Sequence, residues 1–110
     1  KVVPERVDSC VYEEGMITSD EPGIYIEGSH GIRTENLIVC RKGEKNEYGQ
    51  FMYFETLTCA PIDLDAIDPD LLNADEKHML NDYHRFVYDT LSPLMDAEER
   101  EWLAKYTRAI

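Results

Sequence analysis

The sequence predicts an α+β fold in which antiparallel β-hairpins are followed by two short α-helices. Apolar runs rich in Ile, Val and Tyr, separated by glycine-containing turns, fill the first half of the chain. The pattern changes at Pro61, after which apolar residues recur at helical spacing. With 110 residues, 43% of them hydrophobic and 31% charged, the chain has the composition of a small folded protein with one modest core.

Residues 1–60 are predicted to form strands joined by hairpins. Short apolar runs begin at Gly15 and Ile24, and a longer run extends from Ile32 to Cys40. The stretch 41–49 is charged and contains two glycines, so we expect an exposed connection there. A last strand is predicted over residues 50–59.

Residues 61–110 are predicted to form two helices behind an acidic linker. Asn73 with Glu76, and Asp96 with Glu99, have the spacing of N-terminal capping boxes. Pro93 should end the first helix. The apolar faces of the two helices comprise Leu80, Tyr83, Val87 and Leu91, and then Trp102, Leu103, Tyr106 and Ile110. The alternating aspartates of the linker lack the central glycine and terminal glutamate of a calcium loop.

Charge and cysteine content argue against several classes of function. The 23 acidic and 11 basic residues give a net charge of −12, which repels phosphate backbones, so we expect no nucleic acid partner. No window approaches the ~20 apolar residues of a membrane span, and we expect no membrane association. Cys10, Cys40 and Cys59 contain no Cys-x-x-Cys pair and indicate reduced thiols in a cytoplasmic protein. Because the chain does not begin with Met, we expect a fragment or a processed product.

Two carboxylates are the strongest candidates for chemistry. No serine-hydrolase elbow or His-Glu-x-x-His pair is present, whereas Glu21 directly follows an apolar run and Glu35 lies within the run Ile32–Cys40. A charge in mid-strand is costly unless it is paired, solvated or bound to a cation. An ion pair with Arg33, on the same face, would suffice for Glu35. If the intervening hairpin loop has an odd length, Glu21 and Glu35 face each other, which suits Mn²⁺ or Mg²⁺ once further ligands are supplied.

Two segments carry a resemblance to a known family. Gly15–Tyr25, which contains Glu-Pro-Gly, and Gly31–Leu37, which contains Arg-x-Glu-Asn, closely resemble the C-terminal strands of pita-bread metallopeptidases of the aminopeptidase P (Xaa-Pro aminopeptidase) family. The stretches around Phe54, Leu80 and Trp102 resemble the extra C-terminal segment of the larger, cytosolic-type members. The resemblance implies that residues 1–60 are the last strands of a pita-bread catalytic domain and that residues 61–110 are its C-terminal helical extension.

The resemblance also implies roles for three residues. Glu21 would be a catalytic metal ligand that handles the proton of the attacking water, and Glu35 would bridge two divalent ions, expected to be Mn²⁺. Arg33 would orient a ligand carboxylate from beside the metal site. The family's other ligands, two aspartates and a histidine, would lie upstream, so this chain alone is expected to be inactive.

The function implied is that of a hydrolase which removes the N-terminal residue preceding proline from Xaa-Pro peptides. A prolidase or creatinase-like relative would share the two glutamate motifs, but the appended segment 61–110 argues against it. A non-catalytic oligomerisation module is the alternative of a different class, in which Tyr83, Trp102 and Tyr106 serve subunit association. We expect such a fragment to lack the upstream strands of the domain, and the resulting open strand edge and apolar face should favour a homodimer.

Overall fold

The computed structural model describes residues 10–110, which divide into two compact units. The first unit ends at Thr58, and the second extends from Cys59 to Ile110. The predicted α+β class is confirmed, because the strands of the first unit precede the helices of the second. Within residues 10–110, no helix combines the length and the apolar character needed to cross a membrane.

The first unit is built from antiparallel strands in two small sheets. Its strands are β1 (Ile17–Asp20), β2 (Gly23–Ile26), β3 (His30–Arg33), β4 (Asn36–Asn46) and β5 (Gly49–Thr56). One sheet has the order β1-β4-β5, and β2 pairs with β3 in the other. The register has the same parity in both, since Ile17 lies opposite Val39 and Gly23 lies opposite Arg33. The hairpin β2–β3 therefore continues the β1–β4 pairing beyond a short interruption.

The predicted continuous strand Ile32–Cys40 was wrong, because Thr34 and Glu35 separate β3 from β4. Pro22 has no N–H group, so the ladder cannot exchange both hydrogen bonds where it meets Thr34. One bond survives, in which the Thr34 N–H donates to the Pro22 carbonyl at 3.2 Å. The interruption lies where the candidate carboxylates are found.

The exposed connection predicted over residues 41–49 was also wrong. Strand β4 continues to Asn46, and the turn that leads into β5 contains only Glu47 and Tyr48. Charge does not prevent strand formation here, because both faces of the ribbon meet solvent and Arg41 pairs with Glu55 at 2.6 Å.

The first unit buries few of its apolar side chains. Val39 and Cys40 of β4 are its buried hydrophobic residues within the described part of the chain. Large exposed side chains on its strands include Ile17, Ile24, Tyr25, Ile26, Ile32, Phe51 and Tyr53. The strands therefore leave much apolar surface facing solvent.

The second unit contains α1 (Ala74–Leu91) and α2 (Ala97–Tyr106). Both predicted capping boxes are confirmed: Asn73 and Asp96 accept hydrogen bonds from the main chain of the first turn, and Glu76 and Glu99 bond back to the cap N–H groups. A single 3₁₀ turn, Ser92–Leu94, follows α1, as expected from the proline. The two helix starts are thus fixed by short-range sequence signals.

The helices, together with the linker, form a small core. Leu64, Val87 and Leu103 are its buried hydrophobic residues, and His84 is completely buried among them. The predicted face of α2 is only partly correct, because Leu103 is inside whereas its neighbour Trp102 is 54% exposed. Ile110 lies beyond the end of the helix.

Side chains of α1 hold the segments on either side of the helices. The Ile62 N–H donates to His84 Nε2 at 3.0 Å, and the Tyr83 hydroxyl donates to the Ala60 carbonyl at 2.8 Å. The Asn81 amide donates to the Ile110 carbonyl and accepts from its N–H, at 3.1 and 3.0 Å. The linker and the C-terminal segment are therefore both fastened to α1.

The alternating aspartates of the linker cap local turns. Asp63 and Asp68 each accept a hydrogen bond, at 3.0 Å, from the N–H two residues later. These contacts begin the 3₁₀ turns Leu64–Ala66 and Pro69–Leu71. Backbone capping thus explains two of the four alternating aspartates, Asp63 and Asp68.

Candidate metal centre

Glu21 and Glu35 lie at the same level of the ladder, in the interruption between the two sheets. The last pair of β1 and β4 is Asp20 opposite Asn36, and the nearest pair of β2 and β3 is Gly23 opposite Arg33. The loop of the β2–β3 hairpin has three residues, 27–29, so the odd length on which the sequence argument depended is present. The register therefore places the two glutamates opposite each other.

Arg33 connects the two carboxylates. Its Nε lies 3.2 Å from Glu35 Oε2, and its Nη1 lies 3.7 Å from Glu21 Oε2. The ion pair offered as the simpler alternative for Glu35 is therefore present. The other oxygen of Glu21, Oε1, accepts a 2.5 Å hydrogen bond from the Ser19 hydroxyl. Each of the three charged side chains is between 41% and 49% exposed, so the cluster is open to solvent.

Tyr25 supports Arg33, and sequence reasoning missed this contact. Interaction with the Tyr25 side chain, and then with the Glu35 carboxylate, raises the pKa of Arg33 above its ordinary value. The ring crosses the hairpin over two glycines: a Cβ at Gly31 would lie 2.7 Å from Tyr25 Cδ1, and one at Gly23 would lie 2.6 Å from the hydroxyl oxygen. The signal in the sequence was a tyrosine whose cross-strand partner is glycine.

The donor set fits a hard divalent cation, but the number of donors does not complete a site. Carboxylate oxygens suit Mn²⁺ and Mg²⁺. Within residues 10–110, no three His, Cys, Asp or Glu side chains come together in a metal-binding arrangement. Glu21 and Glu35 can thus supply part of a coordination shell, and a complete site would need further ligands from outside the described residues.

Two of the three histidines, His78 and His84, belong to the second unit and have partners there. His78 is exposed and pairs with Asp82 of the same helix at 3.2 Å. His84 is enclosed in the second unit, and its burial lowers its pKa, with a smaller opposing effect from nearby main-chain groups at Arg108 and Ile62. Its Nε2 accepts the Ile62 N–H, so the ring is neutral and structural.

Three comparisons place the chain among known proteins. A family model described as the C-terminal region of peptidase M24 matches residues 50–110. A probable Xaa-Pro aminopeptidase P of Coprinopsis cinerea is 40% identical over 108 residues, which is 94% of this chain and 17% of that protein. Aminopeptidase P1 of Arabidopsis thaliana is 40% identical over 98 residues, covering 86% of this chain and 15% of the plant protein.

A solved structure shows the same fold. An X-prolyl aminopeptidase from Caenorhabditis elegans, described as a cytosolic enzyme with a di-nuclear active site, superimposes with a TM-score of 0.74 at 28% identity. The match covers 90% of this chain and 17% of that chain. The chain therefore spans less than a fifth of the relatives that it resembles.

Proposed function

Because the chain belongs to the peptidase M24 family, to whose C-terminal region residues 50–110 correspond, we propose that it is the C-terminal part of a dinuclear Xaa-Pro aminopeptidase. The longer protein would be a metalloenzyme that removes the N-terminal residue preceding proline from peptides. Relatives named Xaa-Pro aminopeptidase P at 40% identity support this substrate class. The segment 61–110 favours these relatives over prolidase or creatinase-like ones.

The observation that carries the proposal is the opposed pair Glu21 and Glu35 at the break between two ladders. Both carboxylates would hold the metal ions, with Glu35 bridging them. Bound divalent ions supply a Lewis acid for the scissile carbonyl and lower the pKa of the attacking water. Glu21 would receive the proton of that water at a carboxylate oxygen.

Arg33 would act as a positioning residue. Its guanidinium reaches both carboxylates, and its own orientation is supported by Tyr25. It would hold the glutamate side chains on one side of the ladder in the geometry that a metal pair needs. A fixed geometry matters because ligand carboxylates with free rotation bind metal weakly.

We further propose Mn²⁺ as the metal and the cytoplasm as the location. The first rests on the all-oxygen character of the two donors, which several hard divalent ions accept. The second is supported by free cysteines at positions 10, 40 and 59 and by a structural relative described as cytosolic.

The metal role is tested in the longer protein by Glu35→Gln. We expect metal content and hydrolysis of a Xaa-Pro peptide to be lost together, because the amide supplies one neutral donor in place of a bridging carboxylate. Glu55→Gln is the matched control, since Glu55 is on a neighbouring strand and pairs with Arg41. Unchanged metal content and rate in Glu35→Gln would leave only the ion pair with Arg33.

The chain of 110 residues should itself be inactive on a Xaa-Pro peptide supplied with Mn²⁺, because it lacks the remaining ligands. Turnover on the order of 1 s⁻¹ or more, in the range of ordinary enzymes, would refute the proposal that this chain is only part of the site. Mass spectrometry of the purified sample would show that the activity belongs to this chain.

We propose a homodimer as the state of the chain in solution. The support is the apolar strand surface of the first unit, where Ile24 is 71% exposed and Ile17 is 62% exposed. Such surface favours association with a second copy. Sedimentation equilibrium at micromolar concentration is expected to give twice the 12.8 kDa chain mass, and a monomer would overturn the dimer.

A further inference from the structure

Trp102 stands between two concave surfaces of the second unit. The first has a volume of about 370 Å³ and is lined by Pro61, Ile62, Asp63, Asp65, Trp102 and Tyr106. The second, of about 510 Å³, is lined by Met95, Asp96, Glu98, Glu99 and Trp102. We call the two surfaces together the Trp102 groove, because Trp102 lines both. Neither contains a residue proposed for metal binding, so the peptidase chemistry does not account for them.

The aromatic surface of the Trp102 groove is turned toward solvent rather than into the core. Leu103, one residue further along α2, is completely buried, whereas Trp102 is 54% exposed. The Trp102 and Tyr106 ring centroids are 4.7 Å apart with 41° between the planes, which forms a continuous aromatic platform. A cation of the same chain already lies against the Tyr106 ring of this platform, with Lys105 Nζ 5.3 Å from the ring centre.

The carboxylates around this platform fall into two groups. Those of Asp63, Asp96 and Glu99 cap helix and turn starts. In contrast, Asp65 is 82% exposed on its side chain and forms an ion pair of 3.7 Å with Arg108 Nη2. Within residues 10–110, no hydrogen bond or ion pair engages the Glu98 carboxylate. The two acids line different surfaces beside Trp102, where an incoming cation can pair with Glu98 directly and with Asp65 by displacing Arg108.

The charge of the surrounding sequence favours the same kind of ligand. Residues 61–110 contain 12 acidic and five basic side chains, so the field over the groove attracts cations and repels anions. A guanidinium is planar, stacks on aromatic faces and pairs with carboxylates through two N–H groups. An ammonium ion is more strongly hydrated and offers no planar face.

We propose that the Trp102 groove binds an extended, arginine-bearing peptide segment of a partner protein, with the guanidinium stacked on Trp102 and paired with Asp65 or Glu98. Proline in that segment would add affinity, because aromatic-lined grooves accept the polyproline II conformation at low entropic cost. The groove is open and shallow, so we expect a micromolar to millimolar dissociation constant that weakens with added salt.

The single tryptophan of the chain makes the test direct. Because Trp102 is the only tryptophan among 110 residues, its emission reports the groove alone. We would titrate the chain with a short blocked peptide of alternating proline and arginine, and with the same peptide carrying citrulline, the neutral isostere of arginine. A saturable emission change with the arginine peptide, and at least about tenfold weaker binding of the citrulline peptide, is expected.

Substitutions test which side chains contact the peptide. Binding is measured by calorimetry, because fluorescence cannot be used once Trp102 is replaced. Glu98→Gln and Trp102→Phe should each weaken binding about two- to fivefold. Glu101→Gln is the matched control, since it removes the same charge from α2 at a position that lines neither concave surface. Equal weakening in Glu98→Gln and Glu101→Gln would show general charge attraction and overturn the site.

Three further outcomes would overturn the proposal. The first is equal binding of the arginine and citrulline peptides. The second is a shift of Trp102 emission with chain concentration in the absence of peptide, which would show that a second copy covers the groove. The third is binding by the 110-residue chain but not by the longer protein, which would show that an upstream segment occupies the groove.

Discussion

The two units of the chain bury their apolar residues very differently. The second unit encloses Leu64, His84, Val87 and Leu103, although it spans only residues 59–110. The first unit has two buried hydrophobic residues within its described part, Val39 and Cys40. The second unit thus has a closed core of its own, whereas the strands of the first resemble part of a sheet that other strands would complete.

The polar contacts of the two units also differ in how far they are buried. In the second unit, side chains of α1 bond to main-chain groups that are 22 to 29 residues away in sequence. In the first unit, the cluster Glu21–Arg33–Glu35 stays half exposed. The polar groups that hold the second unit together are enclosed, whereas the groups proposed to meet a ligand in the first unit remain accessible. Substitutions in the two units should therefore separate stability from chemistry.

The largest expected effect is loss of the buried leucine of α2. Leu103→Ala should lower the free energy of unfolding by about 2–5 kcal/mol, because it leaves a cavity at a completely buried position of a small core. Urea denaturation followed by helical circular dichroism measures this. Leu94→Ala, at an exposed position of the same unit, is the control and should change stability by less than about 0.5 kcal/mol. Equal effects would contradict the closed core.

The second-largest effect is expected from acid, which should destabilise the second unit. The pKa of His84 is lowered from 6.5 in the folded chain, so the unfolded chain takes up its proton first as the pH falls. The contribution of His84 is complete above pH 6.5 and is lost as the pH falls from there through the lowered native pKa. Unfolding free energy measured between pH 7.5 and 4.5 should decline over that window. His84→Gln, which retains an acceptor for the Ile62 N–H, should reduce the slope.

If the His84→Gln variant fails to fold, an NMR titration of the native His84 imidazole still tests this prediction. The His84 ring should remain neutral as the pH falls through 6.5, the ordinary pKa of a histidine. Protonation of the folded His84 ring at pH 6.5 or above would show that burial does not hold it neutral.

A smaller effect is expected at the start of α2. Asp96→Ala removes the acceptor for the Glu98 and Glu99 N–H groups and should cost about 1 kcal/mol. Thermal unfolding of the variant beside Asp96→Asn, which retains a capping oxygen, measures the loss. Asn at this position should recover most of the stability, and failure to do so would assign the effect to charge rather than to capping.

The smallest effect on stability should come from the residue with the largest proposed role in the first unit. Arg33→Lys should leave the unfolding transition of the chain almost unchanged, because the side chain is half exposed. In the longer protein, the same change should lower kcat by a larger factor than it changes KM. The reason is that a lysine cannot reach both carboxylates and Tyr25 at once. Arg41→Lys, in the other arginine pair of the unit, is the control. A shift in KM alone would point to substrate binding instead.

The features predicted from sequence are those set by short-range rules. The capping boxes at Asn73 and Asp96 depend on residues three apart, and the facing of Glu21 and Glu35 depends on strand parity. The strand break at Thr34 was missed because its cause, Pro22, lies on the opposing strand. The contact between His84 and Ile62 was missed because local spacing carries no information about a partner 22 residues away.

The length of β4 was missed for another reason. Charged residues 41–46 suggested a loop because a strand with one buried face alternates polar and apolar side chains. A ribbon with both faces in solvent has no such requirement, and β4 continues through this stretch.

The packing of the Tyr25 ring against Gly31 limits which residues relatives can have at these two positions. Gly31 does not have a positive φ, so space and not backbone conformation demands glycine there. A methyl group at position 31 would displace the ring and draw the hydroxyl away from Arg33, while loss of the ring would leave position 31 free to grow. Positions 25 and 31 should therefore vary as a pair, with an aromatic ring opposite glycine or a small residue opposite a larger one. Enzymes that adopt the second combination would need another donor or acceptor to steady the arginine.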